Sequence, residues 1–284
     1  MNKIGTSVVA IAALIGTPAF AADLPFKAPP APALVYNWSG LYVGADVGAR
    51  WTDPDLSITA IDELFFAGPP QHDFPKCTTD FSPCSAGASF KSTAFRAGTY
   101  AGYNWQFGER WVAGFEGDWG WADNSSTKDG FKYSLGGFQD SSFTIKSNWD
   151  ASARARIGYL VTPAVLVFAA GGAAWLHTEI TSDCGAKASC FPGEFGPPEL
   201  KTSTTWTGWT IGGGIEAMLI PNWIVRAEYR YADYGTKSFL EARPCPGAPS
   251  VLCGQETSLN VAYDVSMRSH IALVGIGYRF GGPR

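Results

Sequence analysis

Residues Gly208 to Gly235 read GWTIGGGIEAMLIPNWIVRAEYRYADYG, and the alternation on both sides of Pro221-Asn222 narrows what this chain can fold into. Before the turn, Trp209, Ile211, Ile215, Ala217 and Leu219 share one parity, against Thr210, Gly212, Gly214 and Glu216. After it, Val225, Ala227, Tyr229 and Tyr231 alternate with Arg226, Glu228 and Arg230. A period of two on each side of a turn specifies a β-hairpin with two chemically distinct faces. A soluble sheet packs its apolar face on a core and wets the charged one. Here the same pattern recurs along the whole chain, as in a transmembrane barrel with lipid outside and charge inside.

The other strands follow the same rule. From Trp38 to Trp51 the odd residues Leu41, Val43, Ala45, Val47 and Ala49 are apolar, and the even set, with Tyr42, Asp46 and Arg50, faces inward. Ser92 to Phe107 turns Arg96, Tyr100 and Asn104 inward, and a tight turn at Gly108-Glu109-Arg110 leads to a third strand with Glu116 and Asp118 inside. Thr144 to Leu160 directs Asp150, Arg154 and Arg156 inward. Val165 to Ile180 fits either parity; because His177 and Glu179 share one, its odd residues are placed inside. The opening hairpin supplies strands six and seven, and strand eight ends with Val274, Ile276, Tyr278 and Phe280 on one face. Four long loops, Asp53 to Phe90, Asp123 to Ser142, Thr181 to Lys201 and Thr236 to Asn260, alternate with short turns. That arrangement places long loops outside the cell and short turns in the periplasm. Trp38, Trp51, Trp105, Trp111, Trp223 and Tyr278 near strand ends fit interfacial girdles. The predicted fold is an all-β, eight-stranded antiparallel up-and-down transmembrane barrel. In the hairpin, face parity predicts Leu219 opposite Trp223, Ile220 to Asn222 as the turn, and Glu216 opposite Arg226; it also sets Glu116 opposite Gly102.

Composition agrees. With 284 residues, 16% charged, 33 glycines and a net charge of -4, neither disorder nor a nucleic-acid surface is indicated. No stretch after the first twenty residues is apolar for the ~20 residues of a membrane-spanning helix. Lys3, the apolar run Val8 to Ile15 and Ala19-Phe20-Ala21 predict a signal peptide over 1–21. Residues 22–36, rich in proline, form an extended periplasmic segment, 37–280 the barrel and 281–284 a short tail.

The strings GWTIGGGIE and VRAEYRYADYG, with GLYVGADVG near the start and GIGYRF near the end, resemble the porin-like family of small outer-membrane surface proteins of alpha-proteobacteria. The resemblance covers most of residues 38 to 280 and is absent from the long loops. It implies an outer-membrane location among outer-membrane lipids and no cofactor. Tyr278 and Phe280 match the aromatic ending that such proteins present to the barrel-assembly machinery, although four residues follow Phe280 here. Some family members are similar to hemin-binding and adhesion proteins, which makes hemin or an extracellular surface a rival ligand of the loops.

Six cysteines fall as local pairs, each within one loop: Cys77 with Cys84, Cys184 with Cys190, and Cys245 with Cys253. In an oxidising compartment such pairs close short loops without moving strands. Metal binding needs closer spacing and histidine partners. The inward charges Asp46, Arg50, Arg96, Glu116, Asp118, Asp150, Arg154, Arg156, Glu216, Arg226, Glu228, Arg230 and Arg279 carry both signs, and mutual pairing inside a lumen of about eight strands is the expectation. Gly212-Gly213-Gly214 is read as room for facing arginines. His177 with Glu179, or Ser266 with His270, would be the basis of an enzyme, but neither has a third partner. His270 is expected at the outer membrane interface. The reading is a non-enzymatic surface barrel that supports the envelope, with a small-solute pore and a soluble lipocalin as alternatives.

Overall fold

The computed structural model of the chain describes residues 36–61, 87–133, 138–183, 199–244 and 258–281. The expected signal peptide, nearly all of the proline-rich segment, the six cysteines and the last three residues lie outside them.

The described strands are β1 (Gly40–Thr52), β2 (Asp55–Ile61), β3 (Gly87–Ser89), β4 (Ser92–Phe107), β5 (Trp111–Tyr133), β6 (Phe138–Thr162), β7 (Val165–Asp183), β8 (Glu199–Ile220), β9 (Trp223–Pro244) and β10 (Ser258–Arg279). Eight of them close an antiparallel ring in the order β1-β4-β5-β6-β7-β8-β9-β10, sealed by the pairing of β1 with β10. The two additional strands prolong the ring. Asp53-Pro54 interrupts strand one, and β2 then continues along the same edge of β10 from Asp55–Ser266 to Ile61–Val261. Likewise β3 continues β4, pairing with β2 and linked to it at Phe90, whose N–H donates to the Pro54 carbonyl at 2.7 Å. Pro54 has no N–H to give a ladder, so the break falls there.

All four expected long loops are therefore shorter than predicted. Strands β5 and β6 are 23 and 25 residues long and take up most of Asp123 to Ser142. A spanning strand needs ~9–11 residues, so about half of each strand stands outside the membrane. The outward aromatic residues mark the boundary: Trp111 to Trp121 on β5 and Trp223 to Tyr231 on β9 enclose a belt of exposed apolar side chains. Lumen-facing arginines and carboxylates behind that belt are the reverse of a lipocalin.

Beyond the belt the ring divides. Pairing of β8 with β9 ends at Trp209–Asp233, and pairing of β4 with β5 ends at Arg96–Ala122. Past those points the strands form two four-stranded groups, β5-β6-β7-β8 and β9-β10-β2-β3. Their inner faces meet in one apolar cluster that includes Phe143, Ile145, Leu176, Ile180 and Trp206 from the first group and Leu56, Ile58, Tyr263, Val265 and Met267 from the second. Phe143 meets Tyr263 edge-on with ring centroids 5.8 Å apart. The protruding part is thus closed by hydrophobic burial where strand pairing stops.

Two predicted registers hold, Glu216 opposite Arg226 and Gly102 opposite Glu116. The hairpin turn differs: Ile220 pairs with Trp223 across a two-residue Pro221-Asn222 turn, and Leu219 is left as a bulge. Asn222 takes the left-handed conformation (φ 71°) that such a tight turn requires. Strand five has the opposite face to the one predicted. In β7 the even residues Leu166, Phe168, Leu176, Thr178 and Ile180 are buried in the lumen, and His177 and Glu179 face outward. Polarity failed as a guide there because His177 lies beyond the lipid belt, where outward positions are polar and the lumen is apolar.

Trp38 also departs from expectation. Instead of standing in an interfacial girdle, it is wholly buried, with its indole N–H donating to the Pro163 carbonyl at 3.0 Å. It packs with Val112, Leu160, Leu166, Met218 and Ile224 at the end that carries the short turns. The chain enters β1 through the periplasmic mouth, and the residue ahead of the strand plugs it.

Candidate functional site: the lumen ion network

Strand alternation decides which charges point into the lumen, and the stagger of the strands sorts them into two tiers. The outer tier sets Arg50, Arg96 and Arg230 against Asp46, Asp118 and Asp150, all of them buried. Arg96 is its hub: it reaches Asp46 at 2.7 Å, Asp118 at 2.8 Å and Asp150 through both Nε and Nη2, at 3.0 and 2.8 Å. Arg50 bonds Asp150 through Nη1 at 2.6 Å and donates from Nε to Asn124 Oδ1 and from Nη2 to the carbonyls of Ala122 and Ser147. Arg230 holds Asp118 at 2.7 Å, and the Ser152 hydroxyl donates to the same carboxylate.

The inner tier, nearer the periplasm, sets Arg154, Arg156 and Arg226 against Glu116, Glu216 and Glu228. Glu116 is central: Arg154 binds it at 2.6 Å, Arg156 at 3.3 Å, Arg226 also bonds it, and the Tyr42 hydroxyl donates to it at 2.8 Å. Glu216 is held by Arg226 at 2.5 Å and by Arg156 at 2.8 Å, and Glu228 pairs with Arg154. The guanidinium of Arg226 lies 4.0 Å from the Tyr100 ring centre and that of Arg156 lies 4.3 Å from that of Phe168. Arg154 joins the tiers at 3.7 Å from Asp118.

Each tier has as many arginines as carboxylates, so neither leaves a net charge in a low-dielectric space. The arginine forks need space, and glycine supplies it: a Cβ at Gly120 would collide with the Arg96 guanidinium, and one at Gly212 would lie 2.6 Å from Arg230 Cβ. Apolar clusters lie on both sides of the tiers, around Trp38 toward the periplasm and around Trp206 toward the outside.

Arg279 stands apart from both tiers. It sits at the periplasmic rim, donating to the Ser39 carbonyl at 3.0 Å and to Asn222 Oδ1 at 2.5 Å, and so ties both chain ends of the barrel to the β8-β9 turn. Tyr278 and Phe280 are neighbours at that rim, with ring centroids 5.2 Å apart, and the Phe280 N–H bonds the Leu41 carbonyl at 2.7 Å. The histidine pairs considered from sequence do not assemble a site. His177 stacks on Trp149 outside the barrel and bonds Thr205 and Ser203, both at 3.1 Å. His270 bonds the Tyr229 hydroxyl at 2.7 Å in the outer aromatic girdle. Sequence reasoning left out Asn124, Ser152 and Phe168 from the network. The first two lie inside lengths read as a loop or passed over as small, and Phe168 was hidden by the reversed parity of strand five.

Comparison with known proteins agrees with this architecture. The chain is 26% identical over 278 residues to the 31 kDa outer-membrane immunogenic protein of Brucella melitensis, covering 96% of this chain and 98% of that one. It is 29% identical over 246 residues to the 25 kDa outer-membrane immunogenic protein of Brucella abortus, covering 84% and 89%. Among solved structures, the outer membrane protein OprG from Pseudomonas aeruginosa aligns with 88% of this chain and 100% of that chain, at 13% identity and a TM-score of 0.46. The model of the outer membrane protein beta-barrel domain matches residues 7–280. The chain therefore belongs to the outer membrane protein beta-barrel domain family and is a protein of the outer membrane.

Proposed function

We propose that the chain is a non-enzymatic surface barrel whose lumen is closed by its own charges, and that it supports the envelope while presenting its outer end to the surroundings. The observation that carries this reading is the pair of charge-balanced tiers between two apolar clusters. A conduction path or a polar ligand pocket needs charges that are free to meet water or solute. Here the arginines and carboxylates of the tiers are bonded to one another. The protruding double sheet suits display, as do the names of the Brucella relatives, which are called immunogenic. Tyr278 and Phe280 are the residues we assign to recognition by the barrel-assembly machinery.

Planar-bilayer recording on the refolded protein tests the closed lumen. The wild type is expected to give no stable channels. Glu216→Ala leaves Arg154, Arg156 and Arg226 against Glu116 and Glu228 alone, and the uncompensated buried charge should lower stability by about 3–5 kcal/mol, again without channels, because the apolar clusters on either side stay in place. Stable, frequent channels in the wild type would overturn the closed lumen in favour of a small-solute pore.

A further inference from the structure

The seam between β8 and β9 is the feature that the closed-lumen reading leaves unused. From Trp209 outward β8 keeps its partner β7, as far as Asp183–Glu199. Strand β9 leaves β8 at Asp233 and follows β10 to Pro244–Ser258, with Gly235 in the left-handed region (φ 73°) where it turns away. Residues Glu199 to Gly208 therefore have a strand on one side only among the described residues.

Which backbone groups face the gap follows from the register. Met218 N–H donates to the Ala164 carbonyl on the β7 side at 2.8 Å, and the β7-β8 ladder has no register shift. Even residues of β8 thus direct N–H and C=O toward β7, and odd ones toward β9. Lys201, Ser203, Thr205 and Thr207 present theirs to the seam. Among the described residues a single side chain bridges it by hydrogen bonds: Lys237 Nζ donates to the Thr205 carbonyl at 2.8 Å and to Thr204 Oγ1 at 3.2 Å, 5.1 Å from the Trp206 ring centre. A lysine laid over an open edge is a common guard against strand addition. With the lysine withdrawn the Thr205 carbonyl is freed, and the odd residues of β8 offer a single backbone edge on which one strand can pair.

We propose that this seam is a docking site for a single extended peptide strand from a partner outside the cell. The strand pairs antiparallel with Lys201–Thr207 and carries an acidic side chain that takes over the Lys237 ammonium. The backbone edge supplies the ladder bonds. The acidic residue follows from charge: a strand that displaces Lys237 from the Thr205 carbonyl removes that cation's acceptor, and a carboxylate replaces it.

The probe is a fluorescein-labelled ten-residue peptide of alternating threonine and valine with one central aspartate, titrated by anisotropy into the full-length refolded protein in detergent micelles. Three comparisons decide. Saturable binding is expected for the wild type, with at least tenfold loss when alternate backbone amides of the peptide are N-methylated. Thr205→Pro should cost at least tenfold as well; its N–H faces the seam, so proline there breaks no backbone bond to β7, gives up only the exposed bond between Thr205 Oγ1 and His177 Nδ1, and should leave thermal stability close to that of the wild type. Replacing the peptide's aspartate by asparagine should weaken binding to the wild type and leave binding to Lys237→Met unchanged. Binding that ignores N-methylation and Thr205→Pro overturns strand addition. So does an absence of binding by both the wild type and Lys237→Met, in which the guard is gone. Self-association of the wild type that Thr205→Pro abolishes would overturn the peptide partner in favour of a second copy.

Discussion

Arg96→Ala is expected to destabilise the barrel by about 3–5 kcal/mol, among the largest losses of any single substitution in the chain. Arg96 is fully buried and is the one residue bonded to all three aspartates of the outer tier. Without it, Arg50 and Arg230 remain against three carboxylates, and Asp46 loses its 2.7 Å partner. Lysine will not rescue the site, because one ammonium cannot point toward Asp46, Asp118 and Asp150 as the planar fork does. Gly120→Ala is expected to act through the same space, since its Cβ would collide with the Arg96 guanidinium. The double variant should therefore lose less than the sum of the two single losses, by more than the ~0.3–0.5 kcal/mol that separates independent sites. Urea titration followed by the heat-dependent gel mobility of the folded barrel measures all three variants. Strictly additive losses would show that Arg96 and Gly120 do not share the space the structure gives them.

The part of the fold inside lipid was legible because the membrane imposes a single rule there. Outward residues must be apolar, so in β1, β4, β5, β6, β8 and β9 each Asp, Glu or Arg between the girdles marks the lumen face. The registers Glu216–Arg226 and Gly102–Glu116 follow from that parity together with the position of the short turns. Outside the lipid the rule no longer applies, and in this protein it is reversed. Leu176, Thr178 and Ile180 point into the apolar cluster, while His177 and Glu179 meet water. Reading polarity as the lumen side therefore inverted strand five. The same loss of the lipid rule made Asp123 to Ser142 look like a loop, since its Ser, Thr, Lys and Gly residues carry no outward apolar stripe. What pairs β5 with β6 there is a continued backbone ladder with three register shifts, which side-chain chemistry does not announce. The network was legible as a set of inward charges and illegible as tiers. Which arginine meets which carboxylate depends on the stagger between strands that are not neighbours, as with Arg96 on β4 and Asp150 on β6.

Trp206→Ala is expected to separate the two halves of the barrel in stability. Trp206 is wholly buried, donates its indole N–H to Thr178 Oγ1 at 2.7 Å, and packs against Phe239 with ring centroids 6.1 Å apart. It thus links the two outer sheets across the seam where β8 and β9 no longer pair. A buried tryptophan replaced by alanine costs about 3–5 kcal/mol, and here that loss falls on a region held by apolar contact rather than by a closed ladder. The membrane belt keeps its own ladder and its tiers, so the loss should appear as local opening of the outer half and not as global unfolding. Trypsin cleavage after Lys237 reads the opening directly, because that side chain is partly buried across the seam. When reclosing outpaces cleavage the rate follows the open population, and about 3–5 kcal/mol corresponds to an acceleration of about one hundred to several thousandfold. The heat-dependent mobility of the belt should stay at the wild-type value. A variant whose belt melts together with the outer half would instead mean one cooperative barrel, in which the tiers and the apolar cluster hold each other in place.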